Sequence, residues 1–388
     1  MDSKPPLRYL KILGTPVFWT NYLDIVLGFV LGLIAFIFHI SDMPYMATTF
    51  AALTIGAISI TVAEIAEILA ERLEEPYASF VLTFSAVAVE IILLFMIILE
   101  STHSPEALET VKGSIISAVI VDMNVLLGIA VFIGGLSYSE QEHNQDTSST
   151  YTTILLVATS ALLVPSIINF GNNGEDDLFT ASVMIAVVLM VFYVAIFIFQ
   201  TRTHQHFFKT SAKSRLFQLK KHKNENEDEE DGYLFDRLNN ISNLIIIFVL
   251  IFFIGVFAEI FAKDGMIVAK DLGISTGLAG LIIAIIAVSP EILTAIKAAK
   301  NDQMQRVVNI AMGASTVSIL LTVPLLMALA YMNGIYLTLD FNAFQIGALI
   351  LTILLAWKTT DDGETNYFEG VSHLMFFASY AIIATMYH

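Results

Sequence analysis

Ala66-Glu67-Ile68-Leu69-Ala70 recurs as Ala258-Glu259-Ile260-Phe261-Ala262. Further along, Ala86-Val87-Ala88-Val89-Glu90-Ile91 recurs as Ala287-Val288-Ser289-Pro290-Glu291-Ile292. Each copy sets its first acid in one long apolar run and its second in the next. The order is kept, and a polar stretch lies between the copies. Two short matches are weak alone, but their shared order and placement make them a repeat. Outward from these segments the chain is 56% hydrophobic and only 14% charged, where soluble domains carry roughly a quarter charged residues. Runs of about 20 apolar residues, the length that spans a bilayer core, occur about eleven times.

The spacing predicts spans over 19–40, 45–73, 77–100, 108–136, 151–170, 178–201, 240–263, 276–300, 303–331, 341–357 and 367–387. Each must be a helix, because lipid offers no partner to an open backbone. With the amino terminus in the cytoplasm, sixteen of the 19 Lys and Arg residues fall inside, and only Lys112, Lys263 and Lys270 fall outside. That is a strong positive-inside bias. An odd span count then puts the carboxyl terminus outside. The two copies begin in spans two and seven, which cross in opposite directions, so the repeats are inverted. The predicted fold is an all-α integral membrane protein of about eleven spans. An N-terminal segment and extra helix (1–44) precede a first five-helix repeat (45–201), a cytoplasmic linker (202–239) and a second repeat (240–388). The linker is basic at Lys220, Lys221 and Lys223, then acidic over 225–231. It reads as a solvated hinge or a regulatory segment.

Composition also excludes. The chain has no cysteine, which removes disulfides, thiolate metal sites and cysteine nucleophiles. The net charge of −17 disfavours nucleic acid and raises the local cation concentration. No HExxH, GxxxxGK[ST] or GxSxG is present, so neither a membrane protease nor an ATP-driven pump is supported. The histidines do not cluster within any span. No small-residue cleavage site follows the first apolar run, so no removable signal peptide is expected.

The chemistry centres on Glu90 and Glu291, near the middles of spans three and eight. A charged side chain there costs roughly 2.5–3.5 kcal/mol on insertion scales, and neither span offers a Lys or Arg at helical spacing. Two carboxylates meeting in low dielectric cannot easily both ionise and titrate as a coupled pair. One divalent cation or two protons neutralises them. Competition of the two loads for one site, with alternating access, yields antiport. Inverted repeats with a midplane site are a mark of secondary transporters. Pro290 releases the carbonyl of Ile286, an oxygen that suits a hard cation, although a packing kink explains the proline equally well. Ser85, Thr83, Ser289, Ser315 and Ser318 offer further oxygens, against the commoner role of bonding helix backbone. Asp122, with Asn124 beside it in span four, is a candidate for lining the site or handling protons. Glu64, Glu67 and Glu71 share one face of span two by their spacing and lie toward its cytoplasmic end. Glu259 and Asp264 lie toward the outer end of span seven. These acids read as entry residues that concentrate cations and pass protons. Gly128 and Gly313 read as points of close helix approach.

At these residues the chain resembles the ChaA-type calcium/cation–proton antiporters, within the cation/calcium exchanger superfamily. The likeness rests on Leu82-Thr83-Phe84-Ser85 running to Glu90, on Ser289-Pro290-Glu291, on 301–306, on Leu321-Thr322-Val323-Pro324 and on 363–373. The resemblance implies two inverted five-helix repeats plus an N-terminal helix, a key glutamate in each repeat (Glu90 and Glu291) and an upstream glutamate matched by Glu67 and Glu259. It also shows a departure. Those exchangers usually carry Gly-Asn shortly before the key glutamate, where this chain has Ala86-Val87 and Ala287-Val288. Two amide ligands are missing, which brings sodium and potassium in beside calcium.

The reading is therefore a multi-pass plasma-membrane antiporter that exchanges a cation, calcium first, for protons. It is not an enzyme and has no resident cofactor, and Glu90 and Glu291 are its metal and proton ligands. The alternatives are a Na+/H+ or K+/H+ exchanger and a passive cation channel. Membrane lipid is the surrounding partner, and a homo-oligomer is left open.

Overall fold

The structure, a computed structural model, describes residues 16–73, 77–170, 175–204 and 234–386. The basic and acidic runs of the predicted linker and the first fifteen residues lie outside them, as do the side chains of Glu71 and Thr83. The long helices are α1 (Pro16–Ile40), α2 (Pro44–Arg72), α3 (Tyr77–Glu100), α4 (Glu106–Ser137), α5 (Gln145–Phe170) and α6 (Glu175–Ile198). After one short turn at Leu234–Arg237 come α7 (Asn240–Leu272), α8 (Thr276–Lys300), α9 (Met304–Met332), α10 (Ala343–Thr360) and α11 (Tyr367–Ala384). Among the described residues nine helices, all but α3 and α11, are long and apolar enough to cross a membrane. In α11 the apolar run is diluted by Glu369, Ser372, His373 and Ser379.

Local chemistry sets the helix ends. Asn239 accepts from the Ser242 N–H at the start of α7, and Gly273 closes that helix in the left-handed region (φ 62°), where a residue without Cβ is at ease. Asn342 with Gln345 and Asn366 with Glu369 form capping boxes at the starts of α10 and α11. The expected end of span seven at Lys263 falls short, because the helix runs on to Leu272 before its glycine. The exception to an all-helical fold is a two-residue antiparallel ladder, β1 (Gln141–Glu142) with β2 (Glu364–Thr365).

Three π-helical turns occur among the described residues: Val121–Leu126 within α4, Ser318–Thr322 within α9, and Phe199–Thr203 at the end of α6. Such turns shift the helical register and collect at functional sites. Helix α2 packs on α1 and α7, α4 packs on α8, and α11 packs on the second half of α4. Helices α4 and α8 meet backbone to backbone: a Cβ on Gly280 would lie 2.6 Å from the Ser114 nitrogen. Helix α4 is the most enclosed of the nine and α1 the least. Outer helices α1 and α6 expose Leu33, Phe36, Val187 and Val191, as a lipid-facing surface does.

Candidate functional site

Glu90 points from α3 toward the π-helical turn of α9. Ser318 Oγ donates to both of its carboxylate oxygens (3.1 and 2.9 Å), and Thr322 Oγ1 donates to Oε2 (2.9 Å). Ser318 and Thr322 stand four residues apart, on one helix face. Sequence reasoning named Ser318 but assigned no role to Thr322. The available signal was that same spacing of two hydroxyls in an apolar run.

Across the site, Glu291 stands on α8, which packs against the π-helical turn of α4. Each glutamate therefore borders a turn from the other half of the chain. The turn of α4 carries Asp122, which is 1% exposed. Its Oδ2 accepts from Ser315 Oγ of α9 (2.9 Å), while its Oδ1 is buried with no hydrogen-bond partner. Oε2 of Glu291 is likewise buried and unpartnered. The three carboxylates lie close enough for the charge of each glutamate to act on Asp122, and for that of Glu90 to act on Glu291. Among the described residues neither glutamate has a lysine or arginine partner. Both remain partly accessible, as entry of an ion requires. Unpartnered buried oxygens are costly, so this cluster calls for a neutralising load.

Other expected ligands are placed differently. Ser289 Oγ donates to the carbonyl of Ile286 (2.8 Å). The oxygen that Pro290 releases is thus met by a neighbouring hydroxyl, and each group spends one bonding direction on the other. Ser85 is buried in α3. Ser318, expected as a free oxygen, is committed to Glu90. Among the described residues no group of three or more His, Asp or Glu is gathered closely enough to hold a metal ion. The arrangement is an open pair of half-sites rather than a closed cage.

The entry acids, read from sequence as an open lining, have partners. Glu67 forms an ion pair with Arg306 of α9, and Glu64 lies 3.7 Å from Lys297 of α8. Glu259 is exposed and pairs along its own helix with Lys263 (2.6 Å). Asp264 meets His39 of α1 (2.7 Å). For Glu64, Glu67 and Asp264, chain folding brought the partner from a helix too distant in sequence for spacing to show it, whereas Lys263 lies only four residues from Glu259. Glu71 lies outside the residues whose side chains are described. Of the two glycines, Gly128 does admit a close neighbour: a Cβ there would lie 2.8 Å from His373 Cβ. Gly313 faces Tyr151 Oη more loosely, at 3.3 Å.

A bundle of membrane-length helices around opposed, baseless carboxylates defines a multi-pass ion transporter. The chain belongs to the sodium/calcium exchanger protein family, which it matches over residues 43–202 and 242–386. The sodium-potassium/proton antiporter ChaA of Escherichia coli (strain K12) is 25% identical over 318 residues, covering 81% of this chain and 82% of that one. A Ca(2+)/H(+) antiporter of Aphanothece halophytica is 25% identical over 299 residues, covering 76% of this chain and 77% of that one. Two solved structures share the fold. Native YfkE has a TM-score of 0.76 at 21% identity and covers 94% and 99% of the two chains. The H+/Ca2+ exchanger CAX has a TM-score of 0.64 at 15% identity and covers 95% and 92%.

Proposed function

We propose that the protein is a secondary antiporter that exchanges Ca2+ for H+ across the cell membrane. The observation that carries this reading is the opposed pair Glu90 and Glu291: hydroxyl donors meet Glu90, Oε2 of Glu291 is buried without a partner, and no described base meets either. Either one divalent cation or two protons cancels their charge, so the two loads exclude one another. Alternating access then couples their movements. Asp122 with Ser315, and Ser85, Ser289 and the Ile286 carbonyl, line the same chamber. Glu64, Glu67, Glu71 and Glu259 guard its approaches, and the cycle needs no cofactor beyond its cargo.

The architecture proposed with this function is eleven spans in two inverted five-helix repeats plus an N-terminal helix. The matching π-helical turns in α4 and α9, which hold equivalent places in the two repeats, support it. So do the two acids at equivalent depth in α3 and α8. The Lys and Arg distribution puts the amino terminus in the cytoplasm and the carboxyl terminus outside.

A Na+/H+ or K+/H+ exchanger is the second reading. Buried Val87 and Val288 stand where calcium exchangers of this type carry an amide, and the E. coli relative is named for sodium and potassium. Purified protein in proteoliposomes, driven by an imposed pH gradient and offered each cation in turn, separates the readings. We expect Glu90→Gln and Glu291→Gln each to abolish exchange in everted vesicles while the protein still reaches the membrane. Parental rates in either variant would defeat the proposal.

A further inference from the structure

On the side of the α4 π-helical turn away from Ser315 lies a buried polar network with no part in the exchange cycle. Its centre is His373 of α11, which is 0% exposed. His373 Nδ1 lies 3.0 Å from Asn124 Oδ1, and Nε2 lies 3.0 Å from Thr359 Oγ1 of α10. Asn124 Nδ2 donates to the Ile120 carbonyl (3.1 Å) and to Thr352 Oγ1 (3.0 Å). A carbonyl only accepts, so the amide orientation of Asn124 is set by Ile120. Oδ1 of Asn124 therefore accepts and Nδ1 of His373 carries the hydrogen, while Nε2 shares a hydrogen bond with the Thr359 hydroxyl. Both nitrogens of the imidazole are thus used.

Asn124 stands two residues from Asp122 in the π-helical turn of α4. Two helical residues face roughly opposite sides of a helix. Asp122 accordingly faces Ser315 of α9 while Asn124 faces α10 and α11. In this turn the Leu127 N–H reaches back five residues to the Asp122 carbonyl, and the Asn124 side chain braces the Ile120 carbonyl at its start. The turn is gripped from behind: Gly128 lets α11 approach at His373, and a Cβ on Gly370 would lie 2.7 Å from Phe132 Cα. A rotation of the turn that broke the Asn124–His373 bond would swing Asp122 off Ser315.

We propose that His373 is a positioning residue of the exchange site: by holding Asn124 it locks the π-helical turn that presents Asp122 to the two glutamates. This rests on the reading that Asp122 lines the site. It gives α11, which contributes no side chain to the chamber, a defined part in ion binding.

The test uses the full-length protein in proteoliposomes, with calcium uptake driven by a pH gradient and calcium concentration varied. His373→Leu keeps the bulk and removes the donor. His373→Asn keeps a donor at the Nδ1 position, whereas His373→Gln keeps only a group at the Nε2 position. We expect H373L and H373Q to weaken apparent calcium affinity about tenfold, the low end for groups that orient ligands, with a smaller change in maximal rate. H373N should restore the parental affinity. In an Asp122→Asn background, H373L should change affinity no further. Parental kinetics in H373L, an undiminished effect in the D122N background, or rescue by H373Q rather than H373N each overturn the proposal. Should H373L not reach the membrane, the ordering of H373N over H373Q decides, and any other pair of results overturns it. Parental transport by D122N alone, in contrast, shows that Asp122 is outside the site and locates the failure in that reading.

Discussion

Glu90 and Glu291 are alike in sequence position and unlike in surroundings. Glu90 receives hydrogen bonds from Ser318 and Thr322, while Oε2 of Glu291 receives none. A hydrogen bond to a charged group is worth about 1.5–3 kcal/mol. Ser318→Ala or Thr322→Val should therefore weaken apparent cation affinity about tenfold each without abolishing exchange, measured as the cation dependence of uptake. A second residue predicts behaviour outside the chamber. His143 is buried in the loop between α4 and α5; its Nε2 donates to the Thr360 carbonyl (3.3 Å) and its Nδ1 has no partner. Burial lowers its pKa from the usual 6.5. As the pH falls through that value, the unfolded chain takes up a proton that the folded protein refuses, so stability drops on the acid side. His143→Gln removes this contribution. Its melting temperature in detergent should fall less than the parental one between about pH 7.5 and about pH 5.5, and equal falls would show that His143 contributes nothing.

Among the elements, α8 carries the sharpest local conflict. Pro290 lies inside the helix and cannot bond the Ile286 carbonyl, and Ser289 supplies the missing donor. Pro290→Ala returns a backbone N–H that competes with Ser289 for that oxygen and straightens the helix bearing Glu291. We expect exchange to slow several-fold while stability changes by no more than about 1 kcal/mol, the scale of one net hydrogen bond. Unaltered exchange in P290A would make the proline a packing feature alone. The π-helical turns in α4 and α9 are the other decisive elements. They carry the groups that meet the acids: Ser318 and Thr322 for Glu90, and Asp122 beside Glu291.

For the whole molecule, pairs join distant parts of the chain. Glu67 to Arg306 and Glu64 to Lys297 tie α2 to α9 and α8, while His39 to Asp264 ties α1 to α7. Such partly exposed pairs are worth about 0–1 kcal/mol, so their interest lies in which helices they join. The proposed orientation is testable directly, since the chain has no cysteine. Thr102→Cys lies between α3 and α4, and Glu140→Cys lies between α4 and α5; both parent residues are exposed. A membrane-impermeant thiol reagent applied to intact cells should label the first and not the second, and everted vesicles should reverse the pattern. The opposite pattern would invert the topology.

Apolar runs were enough to predict the long helices and their order, and the repeated acidic segments singled out one glutamate on α3 and one on α8. The reason is that lipid leaves a helix as the economical form for an apolar run and makes any acid inside it conspicuous. The partners of those acids were not legible. Arg306 for Glu67, Ser315 for Asp122 and Thr322 for Glu90 are each supplied by a helix far away in the chain, and no local spacing encodes them. Nor does hydrophobic periodicity reveal a π-helical turn, which inserts one residue without altering composition. Where each side chain points, and which oxygens are left wanting a load, was decided by helix packing, because contacts between remote segments exist only once the bundle has closed.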